Sequence, residues 1–143
     1  MSDELTMPAP SLASAFTLVC ASATELVVGS LATGGERRCR FIAAGDFNGR
    51  DIVGTVRTGS EVLLARLDGV TVVEANYLIE TADQSLVRLI GTGYLTETGP
   101  FAGTRMSVVF EVDEHNPLEW LSRRAFIAER ALDSDTFDIC EIC

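Results

Sequence analysis

Residues 74–94, EANYLIETADQSLVRLIGTGY, predict two β-strands joined by a tight turn. Both arms are rich in the aliphatic and aromatic residues that favour strands, and Ala82-Asp-Gln-Ser85 between them is a turn signal. Side chains along a strand alternate between two faces. The two faces of the first arm comprise Glu74, Asn76, Leu78 and Glu80 on one side, and Val73, Ala75, Tyr77 and Ile79 on the other. Whichever face turns inward determines whether the acids line a cavity or an outer wall.

The same strand signals recur along nearly the whole chain of 143 residues. Candidate strands lie at residues 15–21, 25–31, 38–44, 51–57, 61–66, 71–80, 85–92, 105–112, 125–132 and 136–143. About eight to ten short strands predict an all-β sandwich or barrel, and the long consecutive hairpins favour a closed antiparallel up-and-down β-barrel. Asn116 followed by Pro117 predicts one short helical turn. We expect residues 1–13 to form a flexible leader and residues 14–143 to form a single barrel domain.

The composition excludes several functions. The net charge of −10 disfavours nucleic acid and anionic membranes as partners. All 11 basic residues are arginines, which rules out lysine-based catalysis and phosphate-loop lysines, and one histidine cannot form a multi-histidine metal site. Cys140 and Cys143 form a CxxC, but positions i and i+3 of a strand lie about 10 Å apart, too far for a disulfide. We therefore expect no metal and no cofactor, and a cytoplasmic protein without a membrane span.

An ordered set of motifs carries a family resemblance. The motifs are Gly45-Asp-Phe-Asn-Gly-Arg-Asp-Ile-Val-Gly54, Gly59-Ser-Glu-Val62, Arg66-Leu-Asp-Gly69, Ala75-Asn-Tyr-Leu-Ile-Glu-Thr-Ala-Asp83 and Trp120-Leu-Ser-Arg-Arg-Ala-Phe-Ile127. Over roughly residues 14 to 143 the chain resembles the DUF3237 family, also called UPF0311, of small bacterial and fungal proteins. Where that family tends to have Gly-Ala-Asp-Trp, this chain retains an acid at Glu61 and has Val62 instead of the aromatic residue.

The resemblance implies a closed antiparallel barrel with a lipocalin-like or allene-oxide-cyclase-like interior, in a homo-oligomer. A barrel of about eight strands can enclose one small ligand. Activity follows from the resemblance only by analogy of fold, because comparable small barrels act as cofactor-free cyclases and isomerases.

Three residues are candidates for catalysis. A carboxyl group inside an apolar barrel has a raised pKa and can exchange protons near neutral pH. Glu74 is the preferred acid because it stands in the middle of a strand, where a barrel is widest. Tyr77 is the alternative hydrogen-bond donor if its own face turns inward. Glu74 and Tyr77 lie on opposite faces of the strand and cannot both point inward without a bulge. Glu61 follows a Gly-Ser turn and is expected near the mouth of the barrel.

Four further residues are candidate substrate contacts. Arg66 offers a planar fork suited to a carboxylate or enolate oxygen, or else forms a rim ion pair with Asp68. Glu80 and Arg88 line the cavity if the Glu74 face is inward, and pair on the outer surface if it is not. Trp120 either plugs one end of the barrel or stacks on the ligand.

Three functions remain open. The first is a cofactor-free enzyme that binds a small, largely apolar metabolite and catalyses acid/base isomerisation, cyclisation or (de)hydration. The alternative is a non-catalytic, lipocalin-like binding protein, and the third is a module with a packed interior. A buried ionisable group beside a cavity favours the enzyme, a wholly apolar cavity favours the binding protein, and a filled interior favours the third function.

Overall fold

A computed structural model describes residues 8–143, apart from the side chain of Ser22. Within that range the chain forms eight strands and one 3-10 helix. Their bounds are β1 (Leu12–Ser30), β2 (Glu36–Gly49), β3 (Ile52–Ala65), β4 (Thr71–Thr81), β5 (Leu86–Thr96), β6 (Gly103–Val112), the 3-10 helix (Pro117–Arg123), β7 (Phe126–Ala131) and β8 (Thr136–Ile142). Each strand pairs antiparallel with the next, and β8 pairs with β1, so the sheet closes on itself. The predicted closed up-and-down barrel is confirmed.

Two predicted strand breaks are absent, because β1 and β3 each run without interruption through a segment that separates two candidate strands in the sequence. In β3 that segment is Thr58-Gly-Ser60, where the pairing register with β4 shifts between Val56 and Thr58. The β-bulge keeps the strand continuous while it inserts an extra residue. At the start of the chain, β1 begins at Leu12, so the last two residues of the predicted leader belong to the barrel. The earlier part of that leader, residues 1–7, lies outside the described residues.

The hairpin of β4 and β5 turns its apolar face inward. Tyr77 and Ile79 are fully buried, whereas Glu74 and Asn76 are exposed on the outer face. The turn closes with a hydrogen bond from the Thr81 N–H to the Ser85 carbonyl at 2.8 Å. Gln84 adopts a left-handed φ of 67°, a conformation that a glycine ordinarily takes. The face of β4 that turns inward is therefore the one that carries Val73, Ala75, Tyr77 and Ile79.

One half of the barrel interior is packed with phenylalanine rings. Phe16 stacks on Phe47 at 4.8 Å between ring centroids, and Phe110 meets Phe126 edge-to-face at 5.1 Å. We call these four rings the phenylalanine cluster. Such pairs are each worth about 0.5–1.5 kcal/mol beyond the area they bury. The cluster packs the interior on the side of the 3-10 helix.

The 3-10 helix closes that same end, as the sequence predicts. The Asn116 side chain caps it by accepting a hydrogen bond from the Leu118 N–H at 2.8 Å, and Pro117 takes the first helical position. Leu121 is fully buried, and Trp120 packs against the core. In the part of the chain that the structure covers, no helix is long and apolar enough to cross a membrane.

Candidate active site

A cavity of about 420 Å³ opens at the end of the barrel opposite the 3-10 helix. It lies at the start of β6 and the end of β7, while the helix follows the end of β6. Its volume falls within the range of about 300–1,000 Å³ that is usual for small-molecule sites. Apolar side chains of β3, β4 and β5 form part of the wall, and the loop after β7 borders the mouth. The wall includes Leu63, Val73 and Leu95, and the mouth includes Ala131–Asp135.

Glu61 lies at the floor of this cavity because of the β-bulge in β3. Before the bulge the even-numbered residues Ile52 and Val56 face the core, and after it the odd-numbered Glu61 and Leu63 do. Without the extra residue, Glu61 would face solvent, because a shift of one residue exchanges the faces of a strand. Its side chain is 1 % exposed.

Gly59 makes space for the tyrosine that contacts Glu61. It pairs with Tyr77 across β3 and β4, and a Cβ at this glycine would lie 2.5 Å from Tyr77 Cδ1. The ring therefore packs closely against the glycine, and its hydroxyl donates a hydrogen bond to Glu61 Oε2. Phe137 contacts the ring edge-to-face at 6.5 Å between centroids.

Two arginines complete the cluster around Glu61. Arg130 donates from Nη1 to Oε2 at 2.9 Å and from Nη2 to Oε1 at 2.7 Å. Arg40 donates from Nη1 to Oε1 at 3.1 Å. Among the described residues, each carboxylate oxygen thus accepts two hydrogen bonds. Arg130 is almost fully buried and also lies 4.2 Å over the ring of Phe137, whereas the side chain of Arg40 is 29 % exposed. We refer to Glu61, Tyr77, Arg130 and Arg40 as the Glu61 cluster.

The Glu61 cluster is charged at neutral pH. Burial by itself raises the pKa of Glu61, but the hydrogen bonds and charge of Arg130, with help from Tyr77 and Arg40, outweigh it and lower that pKa below its ordinary value. The expectation of a raised pKa for a carboxyl group inside the barrel is therefore wrong for Glu61. For Arg130 the opposing effect of burial is likewise overcome by Glu61, which raises the arginine's pKa. Burial, and next the negative charge of Glu61, raise the pKa of Tyr77 well above its ordinary value of 10.0. Tyr77 therefore stays a neutral hydrogen-bond donor.

Cys20 adjoins the Glu61 cluster without serving as a nucleophile. Burial, followed by the negative charge of Glu61, raises the pKa of its thiol to about 11. The thiolate is the reactive form of cysteine, so this side chain is inert at neutral pH. No group of three or more metal-ligating side chains occurs within residues 8–143.

Of the candidate catalytic residues, the structure brings Glu61 and Tyr77 together in the cavity and leaves Glu74 outside. Glu74 faces solvent because it shares a strand with inward-facing Val73 and Ala75. The expectation that Glu74 lines the cavity is wrong for this reason of parity.

The four candidate substrate contacts also lie away from the cavity. Arg66 pairs with Asp68 on the exposed β3–β4 turn. Glu80 lies 3.5 Å from Arg57 on the outer face, and Arg88 donates to Asn76 and Glu111 there. Trp120 belongs to the 3-10 helix and packs against the core at the opposite end of the barrel. The rim ion pair of Arg66, the outer location of Glu80 and Arg88, and the plug formed by Trp120 are the alternatives that the structure supports. Glu80 and Arg88 pair with other residues there and not with each other.

Arg40 and Arg130 were not among the candidates. Alternation along β7 places Arg130 on the face of Phe126 and Ala128, and alternation along β2 places Arg40 on the face of Ile42. A charged residue that shares the parity of core residues is the signal that would have identified both.

The fold and the Glu61 cluster together define a small antiparallel barrel with an ionised floor to its cavity. From residue 10 to residue 142 the sequence matches the family model DUF3237, protein of unknown function. The chain belongs to the DUF3237 family. No curated protein matches it.

Solved structures of several organisms share the fold. A β-barrel-like protein of Acinetobacter baumannii AYE has a TM-score of 0.82 at 19% identity, covering 98% of this chain and 100% of its own. A conserved protein of unknown function from Rhodopseudomonas palustris has a TM-score of 0.76 at 24% identity, with coverages of 96% and 100%. An enzyme from Penicillium herquei has a TM-score of 0.76 at 17% identity, with coverages of 96% and 98%. At these identities the similarity demonstrates the common barrel and not a common activity.

Proposed function

We propose that this protein is a cofactor-free enzyme that binds a small, largely apolar metabolite and catalyses an acid/base isomerisation, cyclisation or (de)hydration. The observation that carries the proposal is an ionised glutamate, 1 % exposed, at the floor of a cavity open to solvent. Titratable groups with shifted pKa values in a cleft are typical of active sites. The protein of Penicillium herquei, which has the same fold, is an enzyme, and the proposal extends that role to this chain.

In this mechanism Glu61 is the base. Arg40 is the most exposed of its hydrogen-bonding partners and is the one that a substrate displaces most readily. A substrate carbonyl oxygen takes the N–H that Arg40 had given to Glu61, which frees one lone pair of the carboxylate. Arg130 and Tyr77 keep the carboxylate in position throughout, so they are positioning residues.

The reaction then proceeds as a proton transfer without a net change in charge. Glu61 removes a proton from a carbon next to the carbonyl group of the substrate, and the C–H electron pair moves onto the carbonyl oxygen as an enolate forms. In a cyclisation Glu61 instead removes the proton of a hydroxyl group, whose oxygen bonds to the far carbon of a conjugated C=C while the π electrons move onto the carbonyl oxygen. The guanidinium of Arg40 stabilises this negative charge. Protonated Glu61 returns the proton at another carbon, or to a leaving hydroxyl group that departs as water. Because the pKa of Glu61 is low, it releases that proton easily.

Binding without chemistry is the second candidate, and one observation favours it. Within residues 8–143 both oxygens of Glu61 already accept two hydrogen bonds each, so the resting carboxylate is a weak base. In a carrier the Glu61 cluster would simply fix the arginines that line the cavity.

The test compares two glutamates on neighbouring strands. A panel of β,γ-unsaturated ketones of increasing size is incubated with the protein, and formation of the conjugated enone is followed by its ultraviolet absorbance. Glu61→Gln is expected to lower kcat/KM at least 100-fold, as is usual for loss of a general base. Glu74→Gln, on the outer wall, is the matched control and is expected to retain the wild-type rate.

Equal rates in Glu61→Gln and wild type would refute the assignment of the base. If no ketone of the panel reacts, ligands that copurify with the protein are identified by native mass spectrometry and incubated with it in D₂O. A ligand that stays bound but exchanges no C–H for deuterium would establish the carrier in place of the enzyme.

A further inference from the structure

Arg38 and Arg40 stand on the inner face of β2 and project into the cavity wall. They are two residues apart on one strand, so their Cα atoms lie about 7 Å from each other and their side chains run in parallel. Across β1 and β2, Arg40 is paired with Glu25 in register, which places that acid on the same face. The two arginines thus form a cationic strip from the floor of the cavity to its rim.

Most hydrogen-bond donors of this strip have no protein acceptor among the described residues. Arg40 uses one N–H on Glu61, and Arg38 lies 3.5 Å from Glu25 Oε1 without a hydrogen bond of good geometry. Each guanidinium has five N–H donors in a fixed fork. The side chains are 30 % and 29 % exposed, through the cavity mouth, so these donors are accessible to a ligand.

The charges around the strip leave it positive in the interior. Glu61 is neutralised by Arg130, which makes two hydrogen bonds with it, and therefore compensates Arg40 only in part. Glu25 is 45 % exposed, and Asp133 and Asp135 are exposed on the mouth loop, where solvent screens them. An anion that enters passes the exposed acids of the mouth before it reaches the arginines in the interior.

The cavity wall beside the strip is apolar. Leu63 pairs with Arg38 in register across β2 and β3, Val73 and Leu95 continue this wall on β4 and β5, and Leu132 adds to the mouth. A ligand that contacts both the strip and this wall has an apolar body and one acidic group. The planar fork of arginine matches a carboxylate in particular.

We propose that the cavity recognises a carboxylic acid with an apolar body, whose carboxylate is anchored by Arg38 and Arg40. This substrate class deepens the proposed function and rests on it for the identity of the site. The acid group holds the ligand at the arginine strip, while the apolar body reaches over Glu61 toward Leu63 and Val73. Recognition of the carboxylate is separable from catalysis, because it requires binding alone.

The test uses isothermal titration calorimetry with 2-naphthoate and its uncharged analogue of the same shape, 2-naphthamide. Wild-type protein is expected to bind the naphthoate at least tenfold more tightly. Arg38→Gln and the double variant Arg38→Gln/Arg40→Gln are expected to weaken naphthoate binding progressively, and Arg38→Gln is expected to leave naphthamide binding unchanged. Arg37→Gln removes the same charge from the outer face of the same strand and is expected to behave as wild type. Thermal melts monitored by circular dichroism verify that every variant is folded.

Equal affinity for the two compounds, no binding of naphthoate at millimolar concentration, or an unchanged preference in Arg38→Gln would each overturn the proposal. Inorganic phosphate is titrated separately, and tighter binding of phosphate than of naphthoate would overturn the carboxylate in favour of a phosphate ester. The two proposals fail independently. If naphthoate binding depends on the arginines but no ketone is isomerised, the carboxylate site is supported and the proposed enzyme activity is not. If isomerisation requires Glu61 but naphthoate is not preferred, the enzyme activity is supported and the carboxylate site is not.

Discussion

The carboxylate of Glu61 on β3 receives two hydrogen bonds from the guanidinium of Arg130 on β7, at 2.7 and 2.9 Å. In the closed sheet, three strands separate β3 from β7 in either direction, so this ion pair spans the interior of the barrel. It braces opposite walls and at the same time forms the floor of the cavity. The contact therefore matters for stability as well as for the proposed chemistry.

Loss of Arg130 is expected to destabilise the protein strongly. Arg130→Met leaves Glu61 buried without its main partner, which typically costs about 3–5 kcal/mol of the free energy of unfolding. Arg105→Met, which removes an exposed pair with Glu129, is the control and is expected to cost less than about 1 kcal/mol. Urea denaturation measures both. The double variant Glu61→Leu/Arg130→Met is expected to recover most of the loss, and equal stability of the two single variants would contradict this role of the ion pair.

The stability of the protein is expected to depend on Glu61 in acid. Its pKa is lower in the folded protein than the ordinary value of 4.5, so its contribution to stability is fully present above pH 4.5 and is lost as the pH falls through the lower folded-state value. Urea denaturation is carried out from pH 7 down to pH 3, about the range over which a carboxylate titrates. The free energy of unfolding is expected to fall more steeply with decreasing pH for wild type than for Glu61→Gln. Asp68, Asp83 and Glu141 have lowered pKa values too, but they are present in both proteins and cancel in the difference. Parallel curves would rule out an ionised Glu61.

Gly59→Ala is expected to disturb the Glu61 cluster through Tyr77. The new Cβ would lie 2.5 Å from Tyr77 Cδ1, so the ring must move and its hydroxyl leaves Glu61. Overpacking of this kind costs about 1–3 kcal/mol. Ser60→Ala, one residue further along on the other face of β3, serves as the control. A urea midpoint for Gly59→Ala that matches that of Ser60→Ala would show that the Tyr77 ring accommodates the new methyl group without loss of stability.

The cysteines are expected to differ in reactivity. All four are free, but Cys20 is buried with a thiol pKa of about 11, while Cys143 is exposed. Brief alkylation with iodoacetamide at pH 8, followed by peptide mass spectrometry, is expected to label Cys143 and to spare Cys20. In urea both should react. Labelling of native Cys20 at a rate close to that of Cys143 would contradict its burial.

The barrel itself could be predicted from local patterns in the sequence. Alternation of apolar residues predicted the strands of the barrel. The segment Ala82–Ser85 predicted the hairpin turn, and Asn116 with Pro117 predicted the helical turn. Tyr77 followed from the same alternation once its face was known to be inward. These features depend on interactions between residues that are close in the chain.

The Glu61 cluster could be predicted only in part, because it depends on a bulge and on distant contacts. Counting by twos from Ile52 places Glu61 on the outer face, and nothing in the sequence marks the bulge at Val56–Thr58 that reverses this parity. Arg130 lies 69 positions from Glu61. Glu74 was preferred because of its central place in the strand, although the apolar neighbours Val73 and Ala75 indicated its exposure.

The division of the interior into a phenylalanine cluster and a cavity has a consequence for protein engineering. The four rings pack the end that the 3-10 helix closes, so the scaffold keeps this packed end when residues at the cavity end are exchanged. Leu63, Val73 and Leu95 are thus suitable positions for a combinatorial library that alters cavity shape. In such a library Gly59 and the Glu61–Arg130 ion pair are best left unchanged. Selection can then act on ligand recognition while the barrel stays folded.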